Sequence, residues 1–289
     1  MRVSVIIPVY DDVRIEACLG AIVPQAGSWS RDDVEVIVVD NGSRPEVAKI
    51  CDRFAESVVY LHEPRKGSYA ARNAGLRIAR GDLYAFTDAD CLPSPDWLHI
   101  GRRAFEDGDA QVLTGPVQLF VREPDRPNVI ELNEICTAFQ VRRYVDEKYF
   151  GPTANLWTRA SVVKKVGPFD DRLWSSGDVE WCKRALGSGY PTRYCEDLIV
   201  CHPTRGHLRA VTLKTRRLTG GHLKLALREK RLPELMRRRL WPRHSVRSII
   251  FSTQFSRAQR GRALVVELWL YFVRLAELGR LLLGGKPLR

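Results

Sequence analysis

The sequence contains no Cys-x-x-Cys pair. Its seven cysteines, Cys18, Cys51, Cys91, Cys136, Cys182, Cys195 and Cys201, are scattered singly and odd in number. That spacing excludes a zinc module, argues against a disulfide framework and points to a reducing cytosol. The first residues, Met1 to Pro8, lack the long apolar core and small-residue cleavage site of a signal peptide, and read as a buried first strand. A spanning helix needs roughly 20 mostly uncharged residues. The apolar stretch from Ala263 to Leu283 is interrupted by Glu267, Arg274, Glu277 and Arg280, which excludes it. Acid is almost missing from one region: from Arg205 to Arg262, 17 Lys/Arg stand against only Glu229 and Glu234.

What is there is a chain of 289 residues, 45% hydrophobic, long enough for one large domain or a domain with an appendage and too apolar for disorder. The net charge of +12 invites a nucleic-acid or membrane-surface reading, but residues 1–204 hold 25 Lys/Arg against 30 Asp/Glu. The body is mildly acidic, and the excess sits in the tail.

Short β-branched runs alternate with stretches of helical length. Val3 to Ile7, Val34 to Val39, Ser57 to Leu61, Leu83 to Phe86 and Ala110 to Leu113 read as strands. Ile15 to Val23, Pro45 to Ala55, Tyr69 to Ala79 and Pro95 to Phe105 read as helices. Alternation at this spacing predicts right-handed βαβ units and an α/β fold with a mainly parallel sheet, whose ligands bind at the carboxyl ends of the strands.

Four of those ends carry polar clusters: Pro8-Val9-Tyr10-Asp11-Asp12, Asp40-Asn41-Gly42-Ser43, Lys66-Gly67-Ser68 with Arg72 and Asn73, and Thr87-Asp88-Ala89-Asp90. Each has an ordinary alternative as a turn, a helix cap or a solvated loop. Two carboxylates at a strand end are also how such a sheet offers a divalent cation to a diphosphate. The joint occurrence in this order is what carries weight.

In that order the chain resembles family 2 glycosyltransferases of the GT-A fold. The likeness rests on Val3-Ser4-Val5-Ile6-Ile7-Pro8-Val9-Tyr10, Val36-Ile37-Val38-Val39-Asp40-Asn41-Gly42-Ser43, Lys66-Gly67 with Ala71-Arg72-Asn73-Ala74-Gly75, and the DXD motif Asp88-Ala89-Asp90. A second set follows at Gly151-Pro152-Thr153-Ala154-Asn155-Leu156 and Gly177-Asp178-Val179-Glu180-Trp181.

The resemblance implies roles. Pro8, Tyr10 and Asp12 would line the nucleotide base pocket, and Asp40, which can only accept, would take an imide N–H of uracil or thymine. Arg72 and Lys66 would lie near the nucleotide and Asp88 near the ribose. Asp90 would ligate Mg2+ or Mn2+ between the phosphates, with His202 as a further metal ligand or, alternatively, a strand-end cap. Asp178 would be the general base, with Glu180 as alternative. His207 is a weaker candidate for that histidine, and Arg205 a candidate clamp for the diphosphate. One base with no second nucleophile implies direct displacement, hence an inverting transferase.

The sequence departs from the family's pattern at Asn41 and Cys91, where acids are frequent, and at Gly177, where Glu is common. The expected organisation is a catalytic domain over 1–204, its nucleotide-sugar half about 1–115 and acceptor half about 116–204, followed by a basic, mostly helical region over 205–289. Val129 to Phe139 has helical length and is expected to cover or flank the acceptor cleft. In the tail, Leu232-Pro233 reads as a break, and Arg237-Arg238-Arg239 and Trp241-Pro242 as basic and aromatic features. At 100° per residue, Glu267, Arg274, Glu277 and Arg280 share one sector of a helix, opposite Leu264, Val265, Leu268, Trp269, Phe272, Leu275 and Leu282. Three readings apply: a helix packed on the protein, an interfacial helix on anionic lipid, or an oligomer or nucleic-acid contact. No RNA-binding motif accompanies the basic tract.

The expected activity is a metal-dependent inverting transfer from a UDP- or TDP-sugar to a hydroxyl of a glycan, polysaccharide or lipid-linked acceptor, in the cytoplasm or on the inner face of the membrane. The alternatives are a nucleotidyltransferase on a similar sheet, which would need a Gly-rich loop after the first strand that Pro8-Val9-Tyr10-Asp11-Asp12 does not offer, and a degenerate scaffold that binds membrane or nucleic acid.

Overall fold

The computed structural model describes residues 1–30, 33–121, 123, 125–239 and 243–288, with backbone alone at 237–239. Trp241, Pro242 and the side chains of Arg237, Arg238 and Arg239 lie outside the described residues. The first half comprises β1 (Val3–Val9), α1 (Ile15–Gly27), β2 (Val34–Asp40), α2 (Pro45–Asp52), β3 (Val58–His62), α3 (Ser68–Ile78), β4 (Leu83–Thr87), β5 (Leu92–Pro93), α4 (Trp97–Glu106), β6 (Val112–Thr114) and β7 (Val117–Phe120). There follow α5 (Val129–Thr137), α6 (Val141–Lys148), β8 (Asn155–Arg159), α7 (Ala160–Val166), α8 (Gly177–Gly187), β9 (Thr192–Tyr194), β10 (Val200–Pro203), α9 (Leu208–Arg228), α10 (Leu232–Arg239), α11 (Arg243–Ile250) and α12 (Arg257–Leu282).

The central sheet has the order β3-β2-β1-β4-β8-β6-β9. It is mainly parallel: only β8 runs against its neighbours. The chain order reverses between β1 and β4, and a sheet of this kind opens its binding crevice beyond the strand ends at that point.

β1 runs two residues past Ile7, through Pro8. Val3 N–H and Val9 C=O both face β2, so Pro8 faces the other side, where pairing with β4 has ended at Ile6. Its missing donor therefore breaks no ladder bond. α1 likewise runs past Pro24 to Gly27. The Gln25 amide donates to the Ala21 and Ser94 carbonyls and accepts from Leu98 N–H, which anchors the last turn despite the proline.

α3 lies close on the sheet because of Gly75: a Cβ there would stand 2.6 Å from Cγ2 of Ile6. Under the other half, Trp97 and Trp157 meet edge to face at 4.9 Å, and the Trp97 indole donates to Asn155 Oδ1. The Asn155 amide in turn donates to the carbonyls of Pro116 and Leu198, so one buried side chain fixes two loops to β8.

The chain divides into two compact units. The first comprises Met1–Gln118, Phe139–Leu173 and Gly177–His202; the second comprises Leu119–Ala138, Trp174–Ser176 and Pro203–Arg289. α5 thus groups with the tail helices, where Leu132 and Cys136 pack with Ile249 and Ala263.

In the second unit the break expected at Leu232-Pro233 lies earlier, at Glu229 to Arg231, and Pro233 sits in the first turn of α10, where its lacking N–H costs nothing. α12 begins six residues before Ala263, at a capping box of Ser256 with Gln259. Its packed side carries Val266 and Leu270 with Val211 of α9, and also both acids. Glu267 accepts from Arg274, and Glu277 from Arg216 and Arg280. Among the described residues no helix is long and apolar enough to cross a membrane.

Candidate active site

The crevice residues lie in the first unit. At the end of β1 the Tyr10 ring stands 59% exposed, and Asp11, at φ 48°, accepts from Arg44 N–H. At the end of β2, Asp40 is buried and accepts from Ser43 N–H and the Tyr60 hydroxyl, with His62 Nδ1 at 3.6 Å. Burial alone would raise its carboxyl, but these donors outweigh it and hold Asp40 below the usual carboxylate range. It stays an ionised acceptor.

Asn41 has a task that an acid could not perform. Its amide donates to the Glu63 and Arg65 carbonyls and its Oδ1 accepts from Gly67 N–H, joining the end of β2 to the loop before α3. An aspartate would lose both donated bonds.

Beyond β4, Arg72 of α3 forms a short ion pair with Asp88 and is 3% exposed, with Nε lacking a hydrogen-bond partner among the described residues. Asp90, two residues beyond Asp88, has His202 Nε2 at 3.5 Å and Arg14 Nη2 at 3.2 Å. Burial raises the Asp90 carboxyl, and Asp88 and Asp12 add to this while His202 and Arg14 oppose it. Arg14 also grips Asp12 through Nε and Nη2, so Asp12 is tied to Asp90 through one guanidinium. Phe139 packs on the buried His202 ring at 4.9 Å.

The donor atoms of Asp90, Cys91 and His202 lie within 4.8 Å of one another. Burial, with Asp88 and Asp90 alongside, pushes the Cys91 thiol up, leaving a carboxylate and an imidazole as the ready donors. An oxygen and nitrogen set suits Mg2+ or Mn2+, and the open Nε of Arg72 suits an anionic oxygen beside it.

At the start of α8, Asp178 faces Tyr69, whose hydroxyl lies 3.4 Å from Oδ1 and accepts from Asp178 N–H. Burial raises the Asp178 carboxyl; Val179 N–H and Arg72 pull it back. Glu180 is bonded to Arg184 through both oxygens, and Arg184 also donates to the carbonyls of Val166 and Pro168. Glu180 is therefore engaged in holding α7 and α8 together. A Cβ on Gly177 would stand 2.6 Å from the Tyr69 ring, so the larger side chain common here in the family has no room.

The fold brings Tyr10, Asp12, Asp40, Arg72, Asp88, Asp90, Asp178 and His202 to strand and helix ends on the crevice side, with Pro8 buried in β1 and Lys66 exposed before α3. Arg205 and His207 belong to the second unit. Arg205 is bound by Glu134, and His207 is an exposed N-cap of α9. Sequence reasoning missed Arg14, Tyr60, His62 and Tyr69. The alternation of β3, which places Tyr60 and His62 on the same face, was a usable signal; nothing in the sequence announces Arg14.

The Glycosyl transferase family 2 model matches residues 4–167. The chain is 36% identical to the glycosyltransferase AglE of Haloferax volcanii over 208 residues, 70% of this chain and 67% of AglE. It is 31% identical over 188 residues to the pre-mycofactocin glycosyltransferase of Mycobacterium tuberculosis, of which it spans only 39%. Among solved structures, the mannosyltransferase PcManGT of Pyrobaculum calidifontis, in complex with GDP-Man and Mn2+, superposes with a TM-score of 0.58 at 18% identity, over 99% of this chain and 76% of that one. S. aureus TarS 1-349 gives 0.56 at 14% identity, over 98% and 92%. The chain belongs to glycosyltransferase family 2, with a GT-A fold, and is a glycosyltransferase.

Proposed function

We propose that this glycosyltransferase is metal-dependent and inverting, and moves a sugar from a nucleoside diphosphate, UDP or TDP, to a hydroxyl of a glycan, polysaccharide or lipid-linked acceptor. The observation that carries the reading is Arg72: a buried guanidinium with an open Nε, paired with Asp88, which stands two residues before Asp90, the carboxylate that meets His202. A buried, unfilled donor calls for an anionic oxygen, and a diphosphate supplies one.

Asp40, held ionised, accepts the imide N–H of the base, and the exposed Tyr10 ring offers a stacking face beside it. Pro8, Asp12 and Lys66 complete the nucleotide side, and Asp88 holds Arg72 in place against the ribose and phosphates. Asp90 and His202 would hold Mg2+ or Mn2+, which when bound neutralises charge developing on the leaving diphosphate. PcManGT, of the same fold, binds Mn2+ with its donor.

Asp178 takes the proton of the acceptor hydroxyl, whose oxygen bonds to the anomeric carbon as the carbon–oxygen bond to the diphosphate breaks. The electron pair leaves with the diphosphate. A raised carboxyl is a better base near neutrality than an ordinary aspartate. Residues 1–204 carry this chemistry, while 205–289 place the enzyme peripherally on the inner face of a membrane.

The test is turnover of a panel of nucleoside-diphosphate sugars with Mn2+, with the product's anomeric configuration read by NMR. A product inverted relative to the donor supports the reading. A retained configuration, or turnover in the Asp178→Asn variant equal to wild type, would overturn it.

A further inference from the structure

α12 buries two acids alongside Val266 and Leu270 and exposes a second apolar stripe. Val265, Leu268, Trp269 and Phe272 stand 69%, 55%, 49% and 57% exposed, while Glu267 and Glu277 are buried and ion-paired. The spacing i, i+3, i+4 and i+7 aligns the four apolar side chains in one stripe. Past it, Leu282 and Leu283 are exposed too. The water-facing side of a helix ordinarily carries polar residues instead.

The surroundings indicate what covers the stripe. Pro203–Arg289 carries 21 Lys/Arg against four acids, Glu229, Glu234, Glu267 and Glu277. All four acids are engaged by arginines of the same stretch. Arg257 and Arg262 are exposed at the first turns of α12, and Phe251 is 71% exposed at the end of α11, next to the exposed Arg247. Arg260 donates to the Ile250 carbonyl, which fixes that apolar step beside the start of α12. The Trp269 indole donates to Thr212 of α9, holding the ring at the surface with its apolar body outward.

We propose that this face of the second unit docks on an anionic bilayer: the stripe of Val265, Leu268, Trp269 and Phe272 enters the interfacial region and the flanking arginines meet lipid headgroups. The helix lies in the plane of the surface and does not span it, as its buried charges require. Charge complementarity selects this occupant. A second copy would bring the same strongly basic surface against itself, and a nucleic acid offers nothing to a stripe of valine, leucine and phenylalanine. The proposal names the surface for the peripheral placement proposed above and does not depend on the donor chemistry.

The experiment is flotation of the full chain with vesicles of phosphatidylcholine alone and with about 30 mol% phosphatidylglycerol. A Leu268→Ser/Phe272→Ser variant is compared, along with Trp269→Phe to assign the blue shift of tryptophan emission. The expected result is binding to the anionic vesicles only, weakened by salt and reduced at least about tenfold in the double variant, an affinity loss equivalent to about 1.4 kcal/mol. Equal melting temperatures for the variant and wild type show that a loss is not unfolding, and unchanged nucleotide binding separates failure here from failure of the transferase reading. Equal binding by the variant, equal binding to neutral vesicles, or a variant-sensitive dimer in sedimentation would overturn the proposal. A nucleic-acid complex lost in the same variant would also overturn it.

Discussion

Arg14 and Asp90 are joined across the mouth of the crevice: Nη2 of Arg14 lies 3.2 Å from Oδ2 of Asp90 and 2.6 Å from Oδ2 of Asp12. The guanidinium thus engages the same oxygen that approaches His202. A divalent cation binding Asp90 must compete with a cation already present, and a diphosphate offers Arg14 a replacement partner. Replacing Arg14 by Gln removes the competitor. The Arg14→Gln variant is expected to bind Mn2+ more tightly in the absence of nucleotide, by up to about tenfold, as measured by calorimetry. Unchanged or weaker metal binding would contradict this reading of the pair.

Asp178 gives a kinetic prediction with a defined sign. Asp178→Asn is expected to lower kcat by about 10²–10⁴-fold while leaving nucleotide affinity within twofold or so. Because burial raises its carboxyl, the acid limb of kcat/KM lies above the ordinary aspartate range, and activity falls as pH drops through that raised value. The same shift acts on stability with the opposite sense. The folded state favours the protonated form, so this contribution is full below about 3.9 and fades as pH rises through the folded value. A pH profile without an acid limb would exclude Asp178 as the base.

Gly177 and Tyr69 share one space. A Cβ at 177 would stand 2.6 Å from the ring, and Tyr69 is fixed below by Phe169 at 5.7 Å. Gly177→Ala is expected to cost about 1–3 kcal/mol of stability through overpacking and to impair turnover by displacing Tyr69 from Asp178. Thermal melting and kcat measure the two effects; a variant matching wild type in both would show that the ring yields freely.

A triad in the second unit, the buried Glu134 with the half-buried Arg205 and Lys214, predicts an asymmetry. Burial would raise the Glu134 carboxyl, but Lys214 and Arg205 outweigh it and hold it at about 2. Burial and Arg205 together push the Lys214 ammonium down to about 8 despite Glu134. The two shifts act on stability in opposite senses at neutral pH. Glu134→Gln removes the carboxylate from two cations and is expected to cost about 3–5 kcal/mol, whereas Lys214→Met leaves Glu134 with Arg205 and is expected to be near neutral. The Glu134 contribution is present above about 4.3 and is lost as pH falls toward 2, while that of Lys214 makes stability rise between about 8 and 10.4. Equal losses in the two variants, read from chemical denaturation, would contradict the account.

The parallel half of the sheet was legible because β-branched runs of strand length alternate with helical periods from Val3 to Phe86, and the strand ends carry their polar residues in sequence. Two prolines misled. Pro8 and Pro24 each read as a terminus, and in each case tertiary geometry supplies what the proline removes: a ladder that has already ended beside Pro8, and the Gln25 anchor beyond Pro24. Arg14 and Tyr69 were not legible, since a lone arginine or tyrosine has a surface reading until the fold brings a carboxylate to it. The pattern of α12 could not say which side would face inward, and the packed side mixes Glu267 and Glu277 with Val266 and Leu270. Arg216 and Asn133, on other helices, decide that by receiving Glu277 and Glu267.

The central claim is a metal-dependent nucleotide-sugar site built on Asp90. The direct measurement is calorimetry of UDP, TDP and GDP with and without Mn2+, on wild type and Asp90→Ala. The account predicts binding of UDP or TDP that requires Mn2+ and disappears in Asp90→Ala. Binding that is indifferent to both the metal and the substitution, or no nucleotide binding at all, would contradict it.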